Sequence, residues 1–247
     1  MSRPRVAKRI RALAIAAASL LGAGIILGIA PPASAARTQM TIWYFSSYPD
    51  ISINYYTSEG ADEVSVEIPA GDQNRIVFHD PNASSMTIRA DVPGTPCTLD
   101  NPTTISCVKQ APDSNSPPNW RKVEHVSIIG WDGDDTFSAS GFGMVYGQSY
   151  KPIGVTLSGW EGADILTASG GKSSLVAGDG DDRLTSGPGS ANTRDSVDGG
   201  NGNDVIEAST NSADLDSIYC RAGTDSVTKN SADIIYDSPN CETVIVV

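Results

Sequence analysis

Between Met40 and Ile128 apolar and polar residues alternate in short runs: Ile51-Ser-Ile53-Asn-Tyr55, Val64-Ser-Val66-Glu-Ile68, Ile76-Val-Phe78, Met86-Thr-Ile88 and Val126-Ser-Ile128. A period of two puts alternate side chains on one face, so each run reads as a short strand. Gly, Pro, Asp and Asn between the runs supply tight turns. No helical spacing recurs after residue 35, and the pattern predicts an all-β chain.

From residue 130 the pattern changes to a glycine-rich turn, an Asp and an apolar residue two places on: GWDGDDTF from Gly130, GWEGADIL from Gly159, AGDGDDRL from Ala177 and GGNGNDVI from Gly199. Asp164 and Asp182 are 18 residues apart; Asp195 and Asp204, and Asp216 and Asp225, are nine apart. The unit is therefore nine residues, interrupted by small insertions at 186–194 and 208–215. About six residues turn a corner and about three form a strand, so two units make one coil of a parallel β-solenoid. The apolar residue of each unit points inward, which gives an expected core of Phe137, Leu157, Leu166, Leu175, Leu184, Val197, Ile206, Ile218 and Val227. Counting alternate units places loops 159–164, 177–182, 199–204 and 220–225 on one edge of the stack. The same count puts 130–135 on the other edge, with Ser173 and Asp195.

The first 35 residues stand apart. Arg3, Arg5, Lys8, Arg9 and Arg11 precede an apolar run over 13–30, and PPASA at 31–35 ends in a small-x-small cleavage pattern, so 1–35 reads as a signal peptide and the chain as secreted and extracellular. That segment holds five of 17 basic residues and none of 29 acidic ones, which leaves 12 against 29, a net charge near −17 for the mature chain. Such a surface repels nucleic acid and anionic lipid and attracts cations. Four cysteines in a secreted chain read as two disulfides with three possible connectivities; Cys97–Cys107 and Cys220–Cys241 close the shortest loops. The Pro/Ser/Asn-rich stretch 111–119 divides an N-terminal β region, 36–119, from a repeat region, 120–247, with a disulfide-stapled C-terminal cap.

Gly199–Glu207 matches G-G-x-G-x-D-x-(apolar)-x at every defined position. The chain thereby resembles the repeat-in-toxin (RTX), or haemolysin-type, calcium-binding family, in particular small secreted calcium-repeat proteins of actinobacterial type. The matching region runs over roughly 130–230, with an echo in EGADEV at 59–64. Trp131 and Trp160 stand where the motif has its second glycine, Ala177 where it has its first, and CRAGTDSV at 220–227 keeps only Gly223 and Asp225. The resemblance implies a parallel β-roll, with the N-terminal β part continuous with it, and calcium ions as ligands.

The residue types fit that chemistry. Calcium takes about six to eight oxygens, and backbone carbonyls serve as well as carboxylates. Glycine turns can aim several carbonyls at one point while Asp supplies charge, and one loop cannot surround the ion, so neighbouring loops must share it. The expected ligands are Asp164, Asp182 and Asp204 with carbonyls of Gly159, Glu161, Gly178, Gly180, Gly199, Gly200 and Gly202, and, on the edge poorer in glycine, Asp135. Asp134 and Asp181 are as readily solvated acids as ligands. Against this stands a calcium-free solenoid in which Asp and Gly only make turns.

No catalytic pattern emerges. His79 and His125 fall in separate strands, no nucleophile elbow occurs, and the acid pairs belong to the repeat, so the chain reads as non-enzymatic. No membrane-inserting segment follows the signal peptide. The alternative function is a surface module for glycans or a protein partner, using Trp43, Trp120, Trp131 and Trp160, although Trp131 and Trp160 are expected to cap the core.

Overall fold

A computed structural model describes residues 39–44, 50–90, 97–112, 120–143, 153–187, 194–208 and 215–247. The proposed signal peptide and most of the 111–119 stretch lie outside them. The strands are β1 (Gln39–Tyr44), β2 (Asp50–Tyr56), β3 (Glu63–Glu67), β4 (Arg75–His79), β5 (Thr87–Ala90), β6 (Cys97–Asn101), β7 (Thr104–Val108), β8 (Gln110–Pro112), β9 (Trp120–Ile129) and β10 (Thr136–Ser140). They continue with β11 (Gly154–Glu161), β12 (Ile165–Ala168), β13 (Lys172–Asp179), β14 (Arg183–Ser186), β15 (Ser196–Asn201), β16 (Val205–Glu207), β17 (Ser217–Ala222), β18 (Ser226–Lys229), β19 (Ile234–Ile235) and β20 (Thr243–Val246). A single 3-10 turn, Ser238–Asn240, is the one helical element among the described residues.

The strands build two sheets, and from β9 onward the chain passes from one to the other at every turn. The first sheet runs β19-β17-β15-β13-β11-β9-β2-β1-β5, with β8 beside β9, and the second β20-β18-β16-β14-β12-β10-β3-β4-β7-β6. Every pairing from β2–β9 and β3–β10 onward is parallel along the stack, as a solenoid of repeated coils requires. The antiparallel pairings lie toward the N-terminal end: β1–β2, β3–β4, β4–β7, β6–β7 and β8–β9. The N-terminal β part is thus irregular, with antiparallel pairings, but continuous in both sheets with the parallel β-roll of the nonapeptide coils.

Register explains the core. In the second sheet Val64, Phe137, Leu166, Leu184, Ile206, Val227 and Val244 are successive partners. In the first sheet Tyr55, Ile128, Leu157, Leu175, Val197, Ile218 and Ile235 are. All nine core positions expected from the repeat are buried, and they share one cluster with Ile51, Ile53, Ile76 and Phe78 of the N-terminal part. Each such side chain contributes about 1.5–3 kcal/mol by leaving water.

Both disulfides form as the short-loop pairing expects. Cys97–Cys107 ties β6 to β7, and Cys220–Cys241 ties β17 to the segment entering the last strand. At the N-terminal end the buried Tyr55 hydroxyl donates to Asp80 at 2.8 Å, which pins the turn after β4 to the core. No helix among the described residues is long and apolar enough to cross a membrane.

Candidate metal centre: a column of stacked aspartates

Each coil turns from the first sheet to the second through a loop whose last residue is an acid, and these acids stand in one column. The backbone N–H of Asp62 donates to Asp135 Oδ1 at 2.8 Å, that of Asp135 to Asp164 Oδ1 at 2.8 Å, and that of Asp164 to Asp182 Oδ1 at 2.7 Å. The series continues from Asp182 to Asp204 at 2.9 Å, from Asp204 to Asp225 at 2.8 Å, and from Asp225 to Glu242 Oε2 at 2.7 Å. One carboxylate oxygen per coil therefore staples that coil to the one before it.

The other oxygen has no such role. Oδ2 of Asp135, Asp164, Asp182, Asp204 and Asp225 is buried and accepts no hydrogen bond. Each of these residues is about 1% exposed, so the orphan oxygen cannot turn to water. Burial pushes the carboxyl of Asp135 up to about 7, Asp164 to about 6, and Asp182 and Asp204 to about 7, against 3.8 for an ordinary Asp. Neighbouring carboxylates add to the burial effect, and backbone N–H donation partly offsets it. Asp62 and Asp225 are raised for the same first reason. A column of buried acids in this state calls for a positive partner or a proton.

Beside the orphan oxygens lies space that only glycine leaves. A Cβ on Gly130 would meet Asp135 Oδ2 and, at 2.6 Å, the carbonyl of Gly159 in the next coil. A Cβ on Gly159 would meet Asp164 Oδ2 and, at 3.0 Å, the carbonyl of Ala177; one on Gly199 would meet Asp204 Oδ2 at 2.5 Å. The equivalent positions before Asp182 and Asp225 are Ala177 and Cys220, which put a side chain there. The carbonyls of Glu161, Asp179 and Asn201 each accept one N–H from the preceding loop, from Gly133 at 2.7 Å, Gly162 at 2.8 Å and Gly180 at 2.7 Å. Each keeps a second lone pair. Carboxylate oxygens and carbonyls around a glycine cradle are a hard donor set, of the kind calcium takes and soft metals do not.

The structure corrects the edge assigned to loop 130–135. Gly130 pairs with the Ser158 carbonyl, Asp132 bridges Glu161, and Asp135 stands in the same column as Asp164, Asp182 and Asp204. The alternate-unit count fails because 29 residues, not 18, separate Asp135 from Asp164, so an insertion shifts the phase. Asp62 joins the column across 73 residues, and Glu242 closes it. Reading by sequence missed both as members, although EGAD at 59–62 carries the turn signature.

The opposite edge differs. Ser173, Asp195 and Asp216 donate N–H to Asp195, Asp216 and Asp233 Oδ1 at 2.6, 3.2 and 3.0 Å. There the second oxygens are engaged: Asp216 Oδ2 accepts from the Ser186 hydroxyl at 3.3 Å and Asp233 Oδ2 from Asn230 N–H at 2.9 Å. Buried Lys229 gives its ammonium to the Asn230 and Asp233 carbonyls at 2.8 and 2.9 Å. A fixed cation already serves the last turn on this edge. The outer acids are turn braces: Asp134 accepts from Ala163 N–H at 2.8 Å and Asp181 from Asn203 N–H at 2.7 Å.

Residues 157–190 and 192–210 match the family model of the RTX calcium-binding nonapeptide repeat, in four copies. Those two segments of the chain are similar to RTX repeats. The matched segments contain Asp164, Asp182 and Asp204, whereas Asp62, Asp135, Asp225 and Glu242 extend the same column beyond them. Neither the curated proteins nor the solved structures compared with the chain give a match. The RTX repeats account for the β-roll and for calcium as the ligand of the family; the column shows where this chain has oxygen to offer.

Proposed function

We propose that the protein is a secreted, non-enzymatic calcium-binding β-roll, in which Asp135, Asp164, Asp182 and Asp204 hold calcium together with carbonyls of Gly159, Glu161, Gly178, Gly180, Gly199, Gly200 and Gly202. The observation that carries this reading is the run of five buried Asp Oδ2 atoms without partners, three of them (Asp135, Asp164 and Asp204) beside a glycine cradle and three (Asp164, Asp182 and Asp204) within the segments that match the RTX repeat. When bound, the ion supplies positive charge that lets neighbouring coils keep ionised carboxylates in contact. The chain's own part is to hold those oxygens in register through the Oδ1 staples and to keep water from them. Levels with a first glycine, at Asp135, Asp164 and Asp204, have the most room.

Support for a non-enzymatic role comes from how the candidate groups are spent. The column acids bind backbone, and the outer acids brace loops. His79 Nδ1 contacts the Thr103 carbonyl, and His125 Nε2 contacts Thr156, in different sheets. Support for secretion is the leader-like pattern of 1–35 together with two disulfides, which persist in oxidising surroundings.

Isothermal calorimetry of calcium into chelated mature chain tests the reading. Saturable binding of more than one ion is expected, weakened several-fold by Asp164→Asn and Asp204→Asn. No heat up to millimolar calcium would refute it.

A further inference from the structure

Among the described residues only two non-glycine residues have a left-handed backbone: Trp160, at φ 86°, and Arg221, at φ 72°. Both occupy the same repeat position. The ladder runs Trp160, Gly178, Gly200, Arg221 on four successive coils. Gly178 and Gly200 sit at φ 125° and 102°, and a Cβ there would strike the carbonyls of Trp160 and Gly178 in the preceding coil. This position is built for glycine, and it is strained for any residue with a side chain. The chain accepts the strain twice, at the two ends of a bare two-coil floor, and both times presents a large side chain outward from the first sheet. Strain held at matched positions points to function rather than to folding.

Both ends are fixed. Trp160 is backed by Trp131 of the previous coil, ring centroids 5.6 Å apart and tilted by 38°, and Trp131 is 42% exposed, so the pair faces solvent, which corrects the expectation that it caps the core. Trp43 and Trp120, the other candidate aromatics, lie outside the residues whose side chains are described. Arg221 is held by Asp198, with Nε at 2.9 Å from Oδ1 and Nη2 at 2.5 Å from Oδ2, and lies over Tyr219 at 4.8 Å. Three ladder steps of about 4.8 Å separate Trp160 from Arg221, about 14 Å in all. Beside the floor Asn201 Nδ2 donates to Asp179 Oδ1 at 2.6 Å, which lines it with an amide and a carboxylate.

We propose that this slot, with Trp160 as wall, Gly178 and Gly200 as floor and Arg221 as end stop, binds a neutral oligosaccharide. An indole offers a flat apolar face for the C–H face of a pyranose, and Trp combines large contact area with little entropy cost on ordering. Asp179 and Asn201 supply acceptors and a donor for hydroxyl groups. The charges select against anions: carboxylates on the rim and a net charge of −12 for the whole chain repel them, while the Arg221 guanidinium is already paired with Asp198. The slot lies on the outward face of the first sheet, away from the buried column oxygens, but it shares Gly178 and Gly200 with the proposed calcium sites, so it is tested in calcium-equilibrated protein.

The test uses calcium-equilibrated mature chain with maltotetraose, cellotetraose and N,N′,N″,N‴-tetraacetylchitotetraose as probes, and choline as a cationic control, followed by the indole N–H signals in NMR. At least one neutral oligosaccharide is expected to shift the Trp160 signal. Trp160→Gly, which restores the residue that the ladder favours, should weaken binding at least tenfold with a melting temperature equal to or above that of the wild type. Trp131→Ala should weaken it less. The proposal is overturned if no neutral oligosaccharide shifts the Trp160 signal, if Trp160→Gly binds as well as wild type, if choline alone binds, or if Trp160→Gly melts lower, which would make the indole a structural plug.

Discussion

The backbone N–H of Asp164 donates to Asp182 Oδ1 at 2.7 Å across one 18-residue coil, while Asp182 Oδ2 accepts nothing. The two oxygens of one side chain are thus separable: one joins coils, and the other, buried without a partner, is the proposed calcium ligand. An Asn at 182 keeps an oxygen for the staple but removes the charge. Asp182→Asn should therefore fold without calcium at least as well as the wild type, yet gain less from it. Thermal melts with and without calcium check this, the expected sign being a smaller calcium-induced rise in melting temperature for the variant. Asp135→Asn should behave in the same way, because Asp135 stands in the same column.

The raised carboxyls fix the pH dependence of the chelated protein. Groups at about 6–7 in the fold and near 3.8 when unfolded leave the folded state holding more protons between those values. Stability is then fully present below about pH 4 and declines as pH rises through 6–7. Urea denaturation in chelator at pH 5, 6, 7 and 8 should give falling midpoints, and the decline should shrink in calcium, which takes over from the proton. Rising midpoints across that range would show that the column is already charge-compensated.

Leu184 lies between Leu166 and Ile206 in the second sheet's apolar ladder and is fully buried. Leu184→Ala should cost about 2–5 kcal/mol in calcium-loaded protein, measured by chemical denaturation. A loss below about 1 kcal/mol would mean that the narrow core closes up around the missing atoms.

Cys220–Cys241 holds the end of the stack, where β20 pairs with β18 alone and Val246 is half exposed. Replacing both cysteines with Ala should cost about 2–4 kcal/mol. Amide exchange should accelerate first over 217–246 and leave 154–187 protected. Uniform acceleration would show that the stack opens as one unit.

What the sequence made legible follows from its period. Nine-residue spacing places Leu166 with Leu184 and Asp164 with Asp182, 18 residues apart, and counting units across the short insertion at 186–194 adds Ile206 and Asp204, 22 residues on. Spacing loses phase at insertions, so counting units puts Asp135 on the wrong edge where 29 residues intervene, and Asp62, 73 residues from Asp135, shows in the sequence only as an echo. The Oδ1 staples were hidden for a different reason. A carboxylate that caps a neighbouring backbone N–H leaves no mark in sequence distinct from one that binds an ion. Trp160 and Arg221 read as damaged repeats, and only the backbone shows that both bear the same strain.

The central claim is that binding energy at the column becomes folding energy of the stack. Its most direct measurement is the melting temperature of the mature, disulfide-intact chain by circular dichroism at pH 7.5, titrated from chelator to millimolar calcium. The account predicts a continuous rise with the logarithm of free calcium, with loss of β-signal confined to lower temperature in chelator. A melting temperature independent of calcium over that range would contradict it.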